Sequence, residues 1–509
     1  MTNPIRYGEW SKDSHGWFLG RSGVACVTVL LSATPTLLAI AAHRWWLAVG
    51  WLPVWAAIAA GVVLPVGGRP ALRWLTDATL WTAGRLLGWA DWQSVAATGA
   101  LDDPTAADLP GVLAGIRTHD GPPLGVLLGR PAIVQDTGAG TWAAVARISH
   151  PGIGLAELAT RTRMAGGLAE LLEGAAAAEL VSLVTVQVRT VPDDGAERAA
   201  WQRRHLRADA PPLALAVTTE LGTAMIQAGV RHEAFVTVVV PEARIVRPAK
   251  EAGGGVDGRA RVLYGVMSEL EAHLNGPVGC SDVSWLDSAG LAAAIRTGFA
   301  PGERAALIDA ELAAALAGVG DHGVAALPMA AAGPSVAPAA ERRHYNHDAW
   351  SSATCTVLLP DSGALMGALA PVFTPTVAGE RRSVTVFYAP LSRHKANRLV
   401  GRDAMSAGTA AELRNRLGFQ SRAVHRRDAQ RVQTADVRLA AGQALVRVGI
   451  AAAVTVPAHW SISEHGRRLE ASIRGAGFTP LRLDLAQDSG FAAACIPLGI
   501  GLPRRRDSR

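Results

Sequence analysis

The chain has 509 residues, 49% of them hydrophobic, and a formal net charge of +6. So small an excess does not by itself call for a nucleic-acid partner, and direct nucleic-acid contact is not favoured. The four cysteines stand isolated at 26, 280, 355 and 495, which excludes CxxC redox motifs and paired-cysteine zinc sites.

Residues 1–21 read as a short polar lead. No Asp, Glu, Lys or Arg then occurs from Ser22 to Ala42, or from Trp45 to Gly68; His43 and Arg44 stand between the two runs. One straight helix over Ser22–Gly68 would be roughly 70 Å long, over twice the ~30 Å bilayer core. Broken at His43-Arg44, each half crosses once. The arginine then avoids the roughly 2.5–3.5 kcal/mol that a central position costs. The sequence therefore predicts a two-helix transmembrane hairpin over 22–68, with helices Ser22–Ala42 and Trp45–Val66. Arg6, Lys12 and Arg21 precede it, and Arg69, Arg73 and Arg85 follow it, against Arg44 alone in the turn. The positive-inside rule puts both termini in the cytoplasm of a multi-pass protein of the cell membrane. Residues 69–100, with Trp74, Trp81, Trp89 and Trp92, read as an amphipathic helix on the inner membrane surface.

The remainder alternates strands and helices, the pattern of layered α/β packing. In a first cytoplasmic domain, 101–276, strands are expected at 124–130, 141–149, 180–191 and 233–246. Helices are expected at 154–177, around "DGAERAAWQRRHLR" and at 259–276. A second domain, 277–509, begins with "CSDVSWLD" and the helix "SAGLAAAIRTGF", then an Ala/Gly/Pro-rich linker near 317–341. Strands follow at 351–360, 381–391 and 444–457, with an arginine-rich helical region at 392–443 and a helix at 461–476. The fold class is α/β (α+β): the hairpin followed by two ferredoxin-like cytoplasmic units.

Catalytic signatures are sparse. A Walker A loop needs GxxxxGK[ST], yet the three lysines are Lys12, before the membrane, Lys250, followed by Glu, and Lys395, followed by Ala. "GGGVDG" fits GxGxxG at Gly253, Gly255 and Gly258, but "VRPAKEA" before it is no buried strand, so a loop is expected. His344, His347 and Asp348 in "ERRHYNHDAW" have metal-ligand chemistry but no companion cluster, and a hydrogen-bonded turn is the preferred reading. No GxSxG or HExxH occurs. The prediction is a non-enzyme without cofactor, metal or catalytic residues. The candidate partner-binding residues are Arg414, Arg416, Arg422, Arg426, Arg427 and Arg431, in "ELRNRLGFQSRAVHRRDAQR".

Short stretches in a fixed order carry a resemblance. They are "RYGEW" (6–10), "LPGVL" (109–113), "LDSAGLAAAIRTGFAP" (286–301), "YNHDAW" (345–350), "RRSVTVFYAPL" (381–391) and "QDSGFAAACIPLG" (487–499). Together they resemble an actinobacterial membrane-protein family found with conjugative type IV secretion genes. Its amino end is similar to the small PrgI-type membrane subunit, and its soluble part to the non-motor amino-terminal region of the VirB-type ATPase. The resemblance implies a membrane-anchored scaffold of a conjugative transfer channel, partnered by the bilayer, a separate secretion ATPase and other channel subunits. Two alternatives are a type VII secretion component of the EccE type, which also has paired amino-terminal membrane helices, and a membrane-bound enzyme of unknown chemistry.

Overall fold

The computed structural model describes residues 6–8, 23–66, 69–100, 103, 105–124, 129–154, 156–192, 195–207, 209–228, 230–316, 327–360, 363–375, 377, 379–416 and 423–502. The chain divides into two units. The first comprises residues 1–87, 361–364 and 391–445; the second comprises 88–360, 365–390 and 446–509.

In the first unit, α1 (Gly23–Ala41) and α2 (Trp45–Val63) are separated by Ala42–Arg44. The break falls at His43-Arg44, where His43 takes the left-handed conformation (φ 55°). The Arg44 N–H bonds to the Ala39 carbonyl at 2.9 Å, closing α1, while its own carbonyl accepts from Leu47 and Ala48, opening α2. Ala39 and Ala48 are buried, and such small side chains let helix backbones approach. The Trp51 and Trp55 indoles donate across the pair to the Ser32 and Val29 carbonyls at 2.9 and 3.1 Å. Among the described residues one stretch, Trp45–Val62, is long and apolar enough to cross a membrane; the apolar part of α1, Val27–Ala41, is shorter. Ser32, Thr34, Pro35 and Thr36 make α1 the more polar helix. α3 (Ala71–Leu86), within the expected surface segment, packs against α2.

The second unit is built on an antiparallel sheet of eleven described strands. In chain order, β1 (Ile116–Asp120), β2 (Ala132–Asp136) and β3 (Thr141–Ser149) form a meander. Helix α4 (Leu158–Ala177) leads to β4 (Leu183–Pro192), and α5 (Ala196–His205) and α6 (Pro212–Ala228) precede β5 (Val230–Pro241). Helices α7 (Glu242–Glu251) and α8 (Gly255–His273) bring the chain to β6 (Asp282–Trp285), followed by α9 (Ser288–Phe299) and α10 (Arg304–Leu316). β7 (Tyr345–His347) turns directly into β8 (Trp350–Leu358), and α11 (Ala370–Phe373) precedes β9 (Arg381–Pro390). The chain then passes through α12 (Arg393–Arg416) and α13 (Ala423–Ala440), which belong to the first unit and pack on each other. It returns as β10 (Val446–Pro457), α14 (Ile462–Gly475), β11 (Thr479–Arg482) and α15 (Gln487–Cys495).

The strands lie in the order β7-β8-β10-β9-β4-β5-β3-β2-β1, with β6 also on β3 and β11 also on β8. Two halves thus repeat one arrangement: β4-β5-β3-β6 and β9-β10-β8-β11. In each, the second and third strands are neighbours, and the first lies between the third and the fourth. The halves join where β9 runs antiparallel to β4, from Arg382 opposite Thr190 to Tyr388 opposite Val184. Strand alternation sorts the faces. One face carries α9 and α15, whose Phe299 and Phe491 rings sit 5.2 Å apart in a core with Leu183, Phe235 and Phe387. On the opposite face of the first half, α4, α7 and α8 bury Leu171, Ile245, Leu263 and Met267 against Val184, Val236 and Val238.

Several elements differ from the sequence expectation. Of the strand at 124–130, only an isolated bridge between Leu124 and Gly129 is found, and 125–128 lie outside the described residues. The strands are β1 and β2 instead: "IRTHD" is too polar to signal itself and is extended because it pairs with β2. The strand at 233–246 ends at Pro241, and residues 242–246 open α7. Glu242 sits in its first turn, favourable to the helix dipole, and Ile245 and Ala249 are buried one turn apart. Helix α6 was not anticipated. The linker near 317–341 lies outside the described residues over 317–326, and from 336 it forms a short pairing with Trp92–Gln93.

Candidate functional site

The polar cluster at 341–350 is a structural corner. His347 and Trp350 are paired, so Asp348 and Ala349 form the tip of the β7–β8 hairpin, with Asp348 left-handed (φ 49°). Its carboxylate accepts from the Ser335 and Val336 N–H groups at 2.7 and 3.1 Å and pairs with Arg296 at 3.1 Å. His347 is fully buried beside Phe299, Tyr345 and Phe491. Its Nε2 is 2.8 Å from Ser352 Oγ, which is 2.6 Å from Thr455 Oγ1. Burial pushes its pKa down to about 3, so the ring is neutral. His344 is lowered in the same direction by partial burial. Among the described residues no group of three or more His, Cys, Asp or Glu gathers as a metal-ligand set.

The glycine string serves helix packing. Gly253, Gly254 and Gly255 all have positive φ and turn the chain between α7 and α8. A Cβ on Gly258 would lie 2.2 Å from the Ala249 carbonyl, so glycine is what lets these helices touch. Of the candidate partner-binding arginines, Arg414 and Arg416 lie on α12, and Arg426, Arg427 and Arg431 on α13. Arg431 is half-buried; the side chains of the other four, and Arg422 altogether, lie outside the described residues. Cys280, Cys355 and Cys495 are free and buried, and burial pushes the latter two thiols up to about 12, away from nucleophilic chemistry.

The sequence expectations do not include a charged cluster on the sheet of the second unit. Arg189 on β4 and Glu233 on β5 face the α9 side of the sheet, where Arg304, the first residue of α10, meets them. Arg304 Nε lies 3.2 Å from Glu233, Arg189 Nε lies 3.9 Å from it, and Arg304 also pairs with Glu197 of α5. Glu197 in turn pairs with Arg231. Burial alone would raise the Glu233 carboxyl, but Arg189, Arg304 and Arg147 hold it below the usual range. Burial lowers Arg189, opposed by Glu233. Arg189 Nη1 donates to the Ala294 carbonyl of α9 at 2.9 Å, and its guanidinium lies 4.6 Å from the centre of the Phe235 ring. Gly298 makes room for this approach: a Cβ there would sit 3.0 Å from the Cys495 carbonyl and 3.1 Å from Arg189 Nη1. These groups border a cleft, continuous with solvent, whose lining includes Arg189, Glu233, Arg304, Arg381 and Thr455. The sequence holds one signal for it: Arg189 interrupts the strand run "VTVQVRTV", and Glu233 opens the strand run "EAFVTVVV".

A second buried ionic group lies on the other face of the second half. Arg382, wholly enclosed, donates to Glu380 at 2.6 Å and to the Val372 carbonyl and Ser472 Oγ at 3.2 and 3.1 Å. His465 of α14 meets the other Glu380 oxygen at 2.9 Å and stacks on Trp460. This group ties α11 and α14 to β9.

No protein-family model and no curated protein matches the chain.

Proposed function

We propose that the chain is a membrane-anchored scaffold subunit of a conjugative, type IV secretion-like transfer channel that docks a separate ATPase. The observation that carries the anchoring is the exposed apolar surface of α1 and α2. Leu30, Leu31, Leu37, Leu38, Trp46, Val49 and Leu52 all stand open on these two helices. Full burial of such an aliphatic side chain is worth at most about 1.5–3 kcal/mol, a bilayer supplies that environment, and the Trp45–Val62 stretch has the length to reach across it. On this reading α1 completes a two-pass hairpin, both termini are cytoplasmic, and α3 lies along the inner surface.

The repeated strand order supports reading the two halves as ferredoxin-like units, the split β-α-β arrangement, joined edge to edge through β4 and β9. The resemblance in "LDSAGLAAAIRTGFAP" and "QDSGFAAACIPLG" falls on α9 and α15, the helices that cover the shared face. A chain without a lysine-bearing phosphate loop suits docking, with motor work left to a partner. The arginine-rich α12–α13 region is the proposed contact, where charge acts mainly on capture rate and selectivity.

The test is co-purification of the full chain from membranes of its native host. The expected result is retention of a secretion ATPase, weakened by charge reversal at Arg422, Arg426 and Arg427. Reporter fusions after residues 44 and 100 should read outside and inside. Retention of no ATPase by the intact chain would overturn the scaffold reading, and an outside signal after residue 100 would overturn the orientation.

A further inference from the structure

We propose that the cleft bordered by β4, β5, β9, α9 and α10 is a binding site for a phosphate-class oxyanion, a role independent of the anchoring and docking described above. The lining brings Arg189, Arg304 and Arg381 to one solvent-open space in which Glu233 is the one lining carboxylate among the described residues. Arg189 is the main evidence. Its side chain is 7% exposed, and its Nε and Nη2 have no hydrogen-bond partner. Glu233 does not satisfy them: its nearer contact is to Arg304, and it stands 3.9 Å from Arg189 Nε. The ring of Phe235 covers a face of the guanidinium, but the in-plane N–H groups still need acceptors. A buried charged donor left unmet is costly, whereas a guanidinium fork met by an oxyanion forms short, charge-assisted bonds.

Geometry favours a tetrahedral ion over a planar carboxylate. Arg189 and Arg381 stand on one face of the neighbouring strands β4 and β9, and Arg304 comes from the start of α10, so more than one fork borders the cleft. One carboxylate presents its two oxygens in a single plane; a phosphate presents oxygens on several sides. Arg304 also opens α10, whose amino end adds the positive pole of its dipole to the rim. Because the cleft is continuous with solvent, it admits either the free ion or the phosphate of a small monoester.

Equilibrium dialysis of the full-length, detergent-solubilised protein against radiolabelled inorganic phosphate, at ionic strength matched with chloride, tests this. The expected result is one phosphate bound per chain. Arg189→Lys, which keeps the charge but loses the fork, should bind at least about tenfold more weakly while keeping its circular dichroism. If that variant does not fold, Arg381→Lys carries the same expectation. Competition separates the sources: glycerol phosphate displacing label better than unlabelled phosphate identifies a monoester, and the reverse identifies the free ion. Acetate competing as well as phosphate would overturn the tetrahedral assignment. No stoichiometric binding at about 10 mM phosphate, or undiminished binding by the folded arginine variant, would overturn the site.

Discussion

On the face of the sheet opposite α9 and α15, the two halves meet their covering helices with different chemistry. In the first half Val184, Val236 and Val238 are covered by Leu171, Ile245, Leu263 and Met267, a layer of aliphatic side chains. In the second half the corresponding side of β9 carries Arg382, held by Glu380, by α11 carbonyls and by Ser472, with His465 closing the group. The strand order is the same, so backbone pairing does not dictate what fills the layer. An aliphatic layer is held by volume and is forgiving of changes in shape. An ionic layer is held by direction and charge balance, and it fails when one partner is removed.

The sharpest way to break this comparison is Glu380→Ala. It leaves the Arg382 guanidinium enclosed without its carboxylate and should cost about 3–5 kcal/mol, read as a shift of the urea midpoint of the solubilised chain. Replacing Arg382 with Met in the same background should return much of that loss. A single-variant cost under about 1 kcal/mol would show that the pair behaves as a surface ion pair.

Acid is the next lever, and it also acts on the second half through His347. Its folded pKa, about 3, lies below the ordinary ~6.5. Below pH 6.5 the unfolded chain therefore takes up a proton that the folded chain refuses. The stability is fully present above about pH 7 and drains away as the pH falls toward 3, amounting to about 2 kcal/mol by pH 5. His347→Gln should flatten this part of the stability–pH curve between pH 7 and 5, whatever its effect at neutral pH. Parallel curves for the variant and the parent would refute the assignment.

The smallest effect is expected in the aliphatic layer. Leu263 is fully buried in α8, yet Leu263→Met conserves volume and should cost less than about 1.5 kcal/mol. A cost approaching that of Glu380→Ala would mean that the aliphatic layer is as exacting as the ionic one, and the contrast between the halves would fall.

Local signals in the sequence translated well where one residue type governs. The charge pattern put the helix break at His43-Arg44, where the left-handed turn is found. Alternation located β3 at 141–149, and "RRSVTVFYAP" is β9. Legibility failed where a neighbour decides. β1 is polar and becomes a strand by pairing with β2. The expected strand overruns β5 because Ala243, Ile245 and Val246 continue the apolar run of "VTVVV" and suit either conformation. The aromatic surroundings that strip His347 of its charge come from Phe299 and Phe491, far from it in the chain.

By itself, then, the sequence determined the elements: two charge-free runs broken at an arginine, alternating strands, helices of matched length, and no lysine in a phosphate loop. These are short-range properties, set by side-chain period, by solvation and by turn chemistry. Tertiary structure alone decided that β4 and β9 join the two halves into one sheet, and that Arg189, Glu233 and Arg304 converge on one cleft. Nothing in a local window encodes which of several similar strands will become neighbours. That choice rests on pairing and packing energies summed over residues more than a hundred positions apart, as for Arg189 and the α10 arginine it faces across Glu233.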